Sequence, residues 1–151
     1  MALLKFEAQQ WLAKPVELVF DFFANRENLG AITPPWLHFA VETFGDIEMR
    51  SGALIDYHLK IHGVPVRWRT RIRDWEPPRR FVDEQVRGPY KVWIHEHRFE
   101  PRDTGTLTRD FVLYLPPGGW LMDRLFVRRD LERIFAFRRA KLQEIFGGPA
   151  G

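Results

Sequence analysis

Two of the chain's five histidines stand two residues apart in "KVWIHEHRF", residues 91–99, with Glu96 between them. Trp93 and Phe99 flank them at the same spacing. Four kinds of chemistry fit this pattern. Paired with carboxylates and sealed by aromatic rings, the imidazoles make a buried polar network that needs no ligand. The same network can recognise a polar group on an otherwise apolar ligand and fix its orientation. A histidine whose tautomer is set by a carboxylate can serve as general acid or base, so His95 or His97 could drive a cyclisation or dehydration. H-x-H with a third ligand from elsewhere is also a zinc geometry. No third histidine is placed to complete it, and Asp83 or Asp110 would have to serve. The expectation is a site without metal or cofactor.

On a strand, His95 and His97 point to one side with Trp93 and Phe99, and Glu96 and Arg98 to the other. Two aromatics on one face against two charges on the other make the histidine face the inner one. The preceding hairpin decides Asp83. A three-residue loop (Gly88, Pro89, Tyr90) sets Asp83 opposite His95, whereas a two-residue loop puts Val82 there and turns Asp83 outward. On the following strand, "TGTLTRDFVLYLP", Asp110 can pair with either histidine. Periodicity alone would turn Leu107, Phe111, Leu113 and Leu115 inward there, and Asp110 and Tyr114 outward.

The remaining elements must position that strand. Residues 3–12 read as a first strand. "AKPVELVFDFFANREN" follows, with Pro15 at a helix start and Val16, Val19, Phe20 and Phe23 at helical spacing. "AITPPWL" stops that helix, because two prolines cannot continue it. In "ALIDYHLKIHG", Ile55, Tyr57, Leu59 and Ile61 alternate with Asp56, His58, Lys60 and His62, which assigns both histidines to solvent and to no site. In "VRWRTRIRDW", Val66, Trp68, Thr70 and Ile72 face inward and four arginines face out. Residues 120–146 hold no proline or glycine, and Leu121, Leu125, Leu131, Ile134, Phe135, Leu142 and Ile145 recur at helical intervals. The order is one strand, short helices, six strands and a long helix, which suits an α+β chain with a curved antiparallel sheet wrapped around the terminal helix.

The composition fits a single domain over residues 1–151, at 45% hydrophobic, with six tryptophans that suit a ligand cavity as well as a core. With no cysteine there is no disulfide, thiolate site or cysteine nucleophile. Ser51 is the only serine, which removes a Ser-His-Asp hydrolase. No Gly-rich phosphate loop is present. Most of the cations are arginines in amphipathic rows, so nucleic acid is not an expected partner. With no apolar run near membrane-spanning length, the expectation is a cytoplasmic protein without stable membrane insertion.

"PVELVFDFFANRENL", "TPPW", "FVDEQVRGPYKVWIHEHRF", "TRDFVLYLPPG" and the closing helix resemble the SRPBCC superfamily over nearly the whole chain. That is the helix-grip fold of StAR-related lipid-transfer domains, the birch-pollen allergen and polyketide cyclases. The string D-x-Q…G-P-Y…W-x-H-x-H-x-F is similar to its bacterial single-domain ligand-binding branch. The resemblance implies two short helices between strands 1 and 2, and a cavity between sheet and helix for an apolar or aromatic small molecule. It also implies that the face carrying Asp110 and Tyr114 looks into the cavity. The polar lining would then be Asp83, Gln85, His95, His97, Asp110 and Tyr114, with Trp68 and Trp93 as walls. The outer face of the last strand would carry an apolar strip, which suggests a homodimer.

Overall fold

The computed structural model describes residues 2–43 and 48–147. β1 (Leu4–Leu12) leads to α1 (Val16–Ala24) and two 3₁₀ turns, Arg26–Ile32 and Pro35–Leu37. Then come β2 (Ala40–Val41), β3 (Leu54–Ile61), β4 (Val64–Glu76), β5 (Arg80–Arg87), β6 (Val92–Arg102) and β7 (Gly105–Leu115). The chain closes with α2 (Gly119–Met122), a π-helical turn (Asp123–Val127) and α3 (Arg128–Phe146). Met122 and Val127 keep right-handed helical backbone angles, so these three segments form one continuous helix. Gly118 and Gly119 take φ of 83° and 63° to swing the chain from β7 onto it, a conformation that suits residues without a Cβ.

The seven strands form one antiparallel sheet in the order β1-β7-β6-β5-β4-β3-β2. Its curved inner face grips the terminal helix, as a helix-grip α+β fold requires. Two apolar clusters hold the grip together. In one, Val16, Val19, Phe20 and Phe23 of α1 pack with Phe81, Phe99, Leu142 and Phe146. In the other, Phe6, Val112 and Tyr114 pack with Leu131. The site lies between them.

Several expectations need adjusting. Of the two short helices expected between β1 and β2, only α1 is regular. The segment after it winds as 3₁₀ turns, the first capped by the Asn25 side chain on the Glu27 N–H. The terminal helix does cover the sheet, but Leu121, Leu125 and Ile145 are exposed, while Leu131, Leu142 and Phe146 are buried. The π turn explains part of this: its extra residue turns the apolar phase by about 100° relative to α3. His62 is a further correction. It sits in the β3–β4 turn with φ of 50°, and its Nε2 meets Asp130 Oδ2 at 2.8 Å across the gap to α3. Its ring is exposed to solvent as expected, but strand alternation does not govern a turn residue, and its contact with α3 takes it off the plain outer face. His58 stays outside, bonded to Glu42.

The arginines of β4 do lie on the outer face, where Arg69 pairs with Asp56, and Arg71 and Arg73 with Glu84. On β7, Thr106, Thr108, Val112 and Tyr114 are buried on the inner side. Phe111 and Leu113 are half-buried on the convex side, with Arg98 over the Phe111 ring.

Candidate functional site

β5, β6 and β7 supply the polar centre. The β5–β6 hairpin has the register that sets Asp83 opposite His95, and β6–β7 sets His97 opposite Asp110. The hydrogen bonds nevertheless run along the diagonals. His95 Nε2 meets Asp110 Oδ1 at 2.8 Å, and His97 Nε2 meets Asp83 Oδ2 at 2.6 Å. Both side chains lean along the strand until their rings stack with centroids 3.7 Å apart. Phe81 stacks on the far side of His97 at 4.1 Å. The column Phe81–His97–His95 is thus held by faces as well as by edges.

Each imidazole donates its Nε2–H to one carboxylate, which leaves the Nδ1 atoms as acceptors. His97 Nδ1 is buried and has no partner, with Asp110 Oδ1 at 3.6 Å. Burial, aided by His95, pushes the His97 imidazole down to about 4 against the pull of Asp83. Burial also opposes ionisation of Asp83, but the His97 hydrogen bond and nearby positive charge hold it below the usual carboxylate value. At Asp110 the burial penalty is outweighed by Arg138 and His95, which keep that carboxyl ionised.

These shifts act on stability in one direction. His97 takes up its proton only near pH 4 when folded but near 6.5 when unfolded. Over that window the unfolded chain binds more protons, so stability falls as the pH falls. The two depressed carboxylates contribute stability that is present above their unfolded pKa and lost in stronger acid, which has the same sign. The His97 share is expected to be on the order of 2–3 kcal/mol between pH 7 and pH 4. Chemical denaturation across that range should show it, and the His97 ring should remain neutral by NMR at pH 5. A ring titrating near 6.5 would remove this account.

Arg138, on α3, is the residue that sequence reasoning missed. Its guanidinium lies 5.1 Å from the Phe23 ring centre, 5.6 Å from that of Phe135, and 3.8 Å from Asp110 Oδ1. Its Nε is buried without a partner. In "FRRAK" it passes for a solvated cation, yet it falls on the stripe of Leu131, Phe135 and Leu142 at i+3 and i+4 spacing. A cation on an apolar stripe was the available signal.

A cavity in two lobes opens between sheet and helix, of about 470 Å³ and about 210 Å³. Trp68, Trp93, His95 and Arg138 face both lobes, while Asp83 and His97 face the smaller. Trp68 and Trp93 meet edge to face at 5.5 Å. Asp110 lies behind His95, toward a recess under Phe135 and Arg138. Trp36 stands at the mouth of the larger lobe, edge-on to Phe137 and beneath Arg133. Asp110, Gln85 and Tyr114 line neither lobe, contrary to expectation; His95 stands between Asp110 and the lobes. Gln85 closes its own hairpin, donating to Tyr90 O at 2.6 Å and accepting from Tyr90 N at 3.0 Å. Tyr114 is fully buried in the core and donates to Asp123 Oδ1 at 2.6 Å. Facing inward does not bring a side chain to the cavity where the hairpin or the helix reaches it first.

Among the described residues, Asp83, His95 and His97 bring one donor atom each within 4.8 Å of one another. Both Nε2 atoms are already directed at separate carboxylates, so a shared ion would have to break these bonds. Purified protein is expected to carry no stoichiometric zinc after mild chelation. Zinc that resists chelation in elemental analysis would reverse that expectation.

The profile of the family described as polyketide cyclase / dehydrase and lipid transport matches residues 12–139. Protein CV1439 from Chromobacterium violaceum superposes with a TM-score of 0.75 at 14% identity, covering 96% of this chain and 98% of its own. A protein from Arthrobacter aurescens gives 0.73 at 17% identity, covering 98% and 88%. The ginseng major latex-like protein 151 from Panax ginseng gives 0.70 at 12% identity, covering 98% and 100%. At such identities the likeness shows the fold. No curated protein matches the chain.

Proposed function

The chain belongs to the polyketide cyclase / dehydrase and lipid transport family of helix-grip proteins, and within it we propose that this member binds an apolar or aromatic small molecule between sheet and terminal helix. The observation that carries this reading is the larger lobe of about 470 Å³, within the size of a small-molecule pocket. Its aromatic lining, Trp68, Tyr90 and Trp93, is joined by His95 and Arg138, with His62, Asp130 and Arg133 as further polar groups on its lining. A flat, mostly apolar molecule with one oxygen suits that division: ring against the tryptophans, oxygen toward Arg138. A cavity filled by the protein's own side chains would not leave this space.

Native mass spectrometry of protein purified gently from its own host is expected to show a retained small-molecule mass. Small hydroxylated aromatics are expected to quench tryptophan fluorescence saturably, and Trp93→Leu should weaken that response. Protein that carries nothing and gives no saturable quenching would defeat the reading.

A second reading, a cyclase or dehydratase, rests on His95. This imidazole is oriented by Asp110 and faces both lobes, as a general base must. His97 is the poorer base, because a group held near 4 attracts a proton weakly at neutral pH. Turnover of a poly-β-keto substrate that is lost in His95→Gln but kept in His97→Gln would favour catalysis over binding alone.

A further inference from the structure

Leu18, Trp36, Leu54 and Ile145 are exposed elsewhere, but most of the exposed large apolar side chains among the described residues gather at one end. Trp120, Leu121, Leu125 and Phe126 follow one another on α2 and the π turn, with Trp120, Leu125 and Phe126 at 63%, 57% and 54% exposure. The strand registers bring Val64 and Val86 to the same end of the molecule. There β3 turns into β4 beside Ile61, β5 turns into β6, and β7 runs out at Leu115 next to Val92. The larger lobe of the cavity is lined at this end by His62 and Gly63 of the β3–β4 turn and by Asp130 of α3. One side of the larger lobe and the apolar patch therefore share one end.

The charges at this end have one sign to spare. Lys5, Arg87, Lys91, Arg124 and Arg129 are all exposed there. Three acids lie nearby, and they are outnumbered: Glu132 is offset by Arg128, while Asp123, which accepts from Tyr114, and Asp130, bonded to His62, stand against those five cations. We propose that this end docks reversibly on an anionic lipid bilayer, with Trp120, Leu125 and Phe126 entering the headgroup boundary and the arginines meeting the lipid phosphates. Exposed tryptophan, leucine and phenylalanine beside arginine are the composition of an interfacial segment. A second copy of the chain is a poorer occupant, because apposed patches would bring Arg124 and Arg129 of both copies together. No helix among the described residues is long and apolar enough to cross a membrane, and docking of this kind requires none. The π turn supports it by lifting Leu121 and Leu125 off the stripe that α3 buries.

The proposal does not depend on ligand binding, and its test uses none. The intact protein is mixed with phosphatidylcholine vesicles, with and without phosphatidylglycerol, and sedimented. Binding is expected to the anionic vesicles, weakening as salt is raised. The double variant Leu125→Ser/Phe126→Ser should lower partitioning by roughly tenfold or more. Arg124→Gln/Arg129→Gln should lower it and flatten the salt dependence. These side chains are exposed, so the circular dichroism spectrum and the quenching by hydroxylated aromatics should persist in both variants. Wild-type protein that fails to sediment with anionic vesicles, or variants that bind as wild type does, overturn the proposal. So does equal binding to neutral vesicles, or a concentration-dependent dimer that Leu125→Ser/Phe126→Ser dissociates without any vesicle binding.

Discussion

Asp83→Ala is expected to cost about 1–3 kcal/mol of folding stability, because it leaves a buried imidazole N–H with no acceptor. His97 cannot swing out to find water: its ring is clamped between Phe81 and His95. Its other nitrogen is already unpartnered, so the substitution would leave the ring without a hydrogen bond. The charge on the partner sets the size of the effect. A neutral His97 forfeits a hydrogen bond, whereas a buried cation stripped of its counterion would forfeit roughly 3–5 kcal/mol. Asp83→Asn keeps an acceptor oxygen and should recover much of the loss. Glu96→Ala is the control from the opposite face of β6. Glu96 bridges Arg80 and Arg98 and is half-buried, but Arg80 retains Asp74 and Glu76, so the loss should stay near the upper end of the roughly 0–1 kcal/mol that surface pairs contribute. Denaturant midpoints at neutral pH decide between them. Should Glu96→Ala prove the more damaging, the histidine network would not be what holds this part of the sheet.

The face of β6 was legible because alternation is a local rule: Trp93, His95, His97 and Phe99 had to agree. The register of Asp83 was legible only as a choice between two loop lengths, and the hairpin has the register that the three-residue loop would give, although its paired residues stop at Glu84 and Ile94. The diagonal pairing was not legible. It depends on how far each side chain leans along its strand, which ring stacking decides and spacing does not. On β7 the periodicity of Phe111 and Leu113 pointed the wrong way, because the convex face of this sheet also carries apolar residues, and the inward residues include threonines, Asp110 and Tyr114. The π turn had no proline or glycine to announce it. Its trace in the sequence is the phase slip between Leu121, Leu125 and the later stripe of α3. Cavity lining was least legible of all. Gln85 and Tyr114 share the inner face with Asp83 and Asp110, but a hairpin backbone and an aspartate on the helix reach them first.

Arg138→Met is expected to have the larger effect on binding. Methionine keeps the unbranched stem and its packing against Phe23 and Phe135 while removing the donors. A hydrogen bond from a charged donor is worth about 1.5–3 kcal/mol, so affinity for an oxygen-bearing aromatic should fall roughly 10- to 100-fold. 1-Naphthol against naphthalene makes the comparison clean, because the two differ by the oxygen alone and naphthalene should lose little. Arg138→Lys should restore binding only in part: an ammonium keeps the charge but not the planar fork that lies against two aromatic rings. Asp110 gives an independent readout. Arg138 is the foremost group holding that carboxyl low against its burial, so its pKa should rise in the methionine variant and carbonyl NMR shifts should follow it. Equal losses for naphthol and naphthalene would mean that the cavity has collapsed and that Arg138 supports the fold rather than the ligand. Unchanged affinity for naphthol, with the Asp110 shift intact, would confine the guanidinium to neutralising the carboxylate, and the oxygen of the ligand would then have to be assigned to His95.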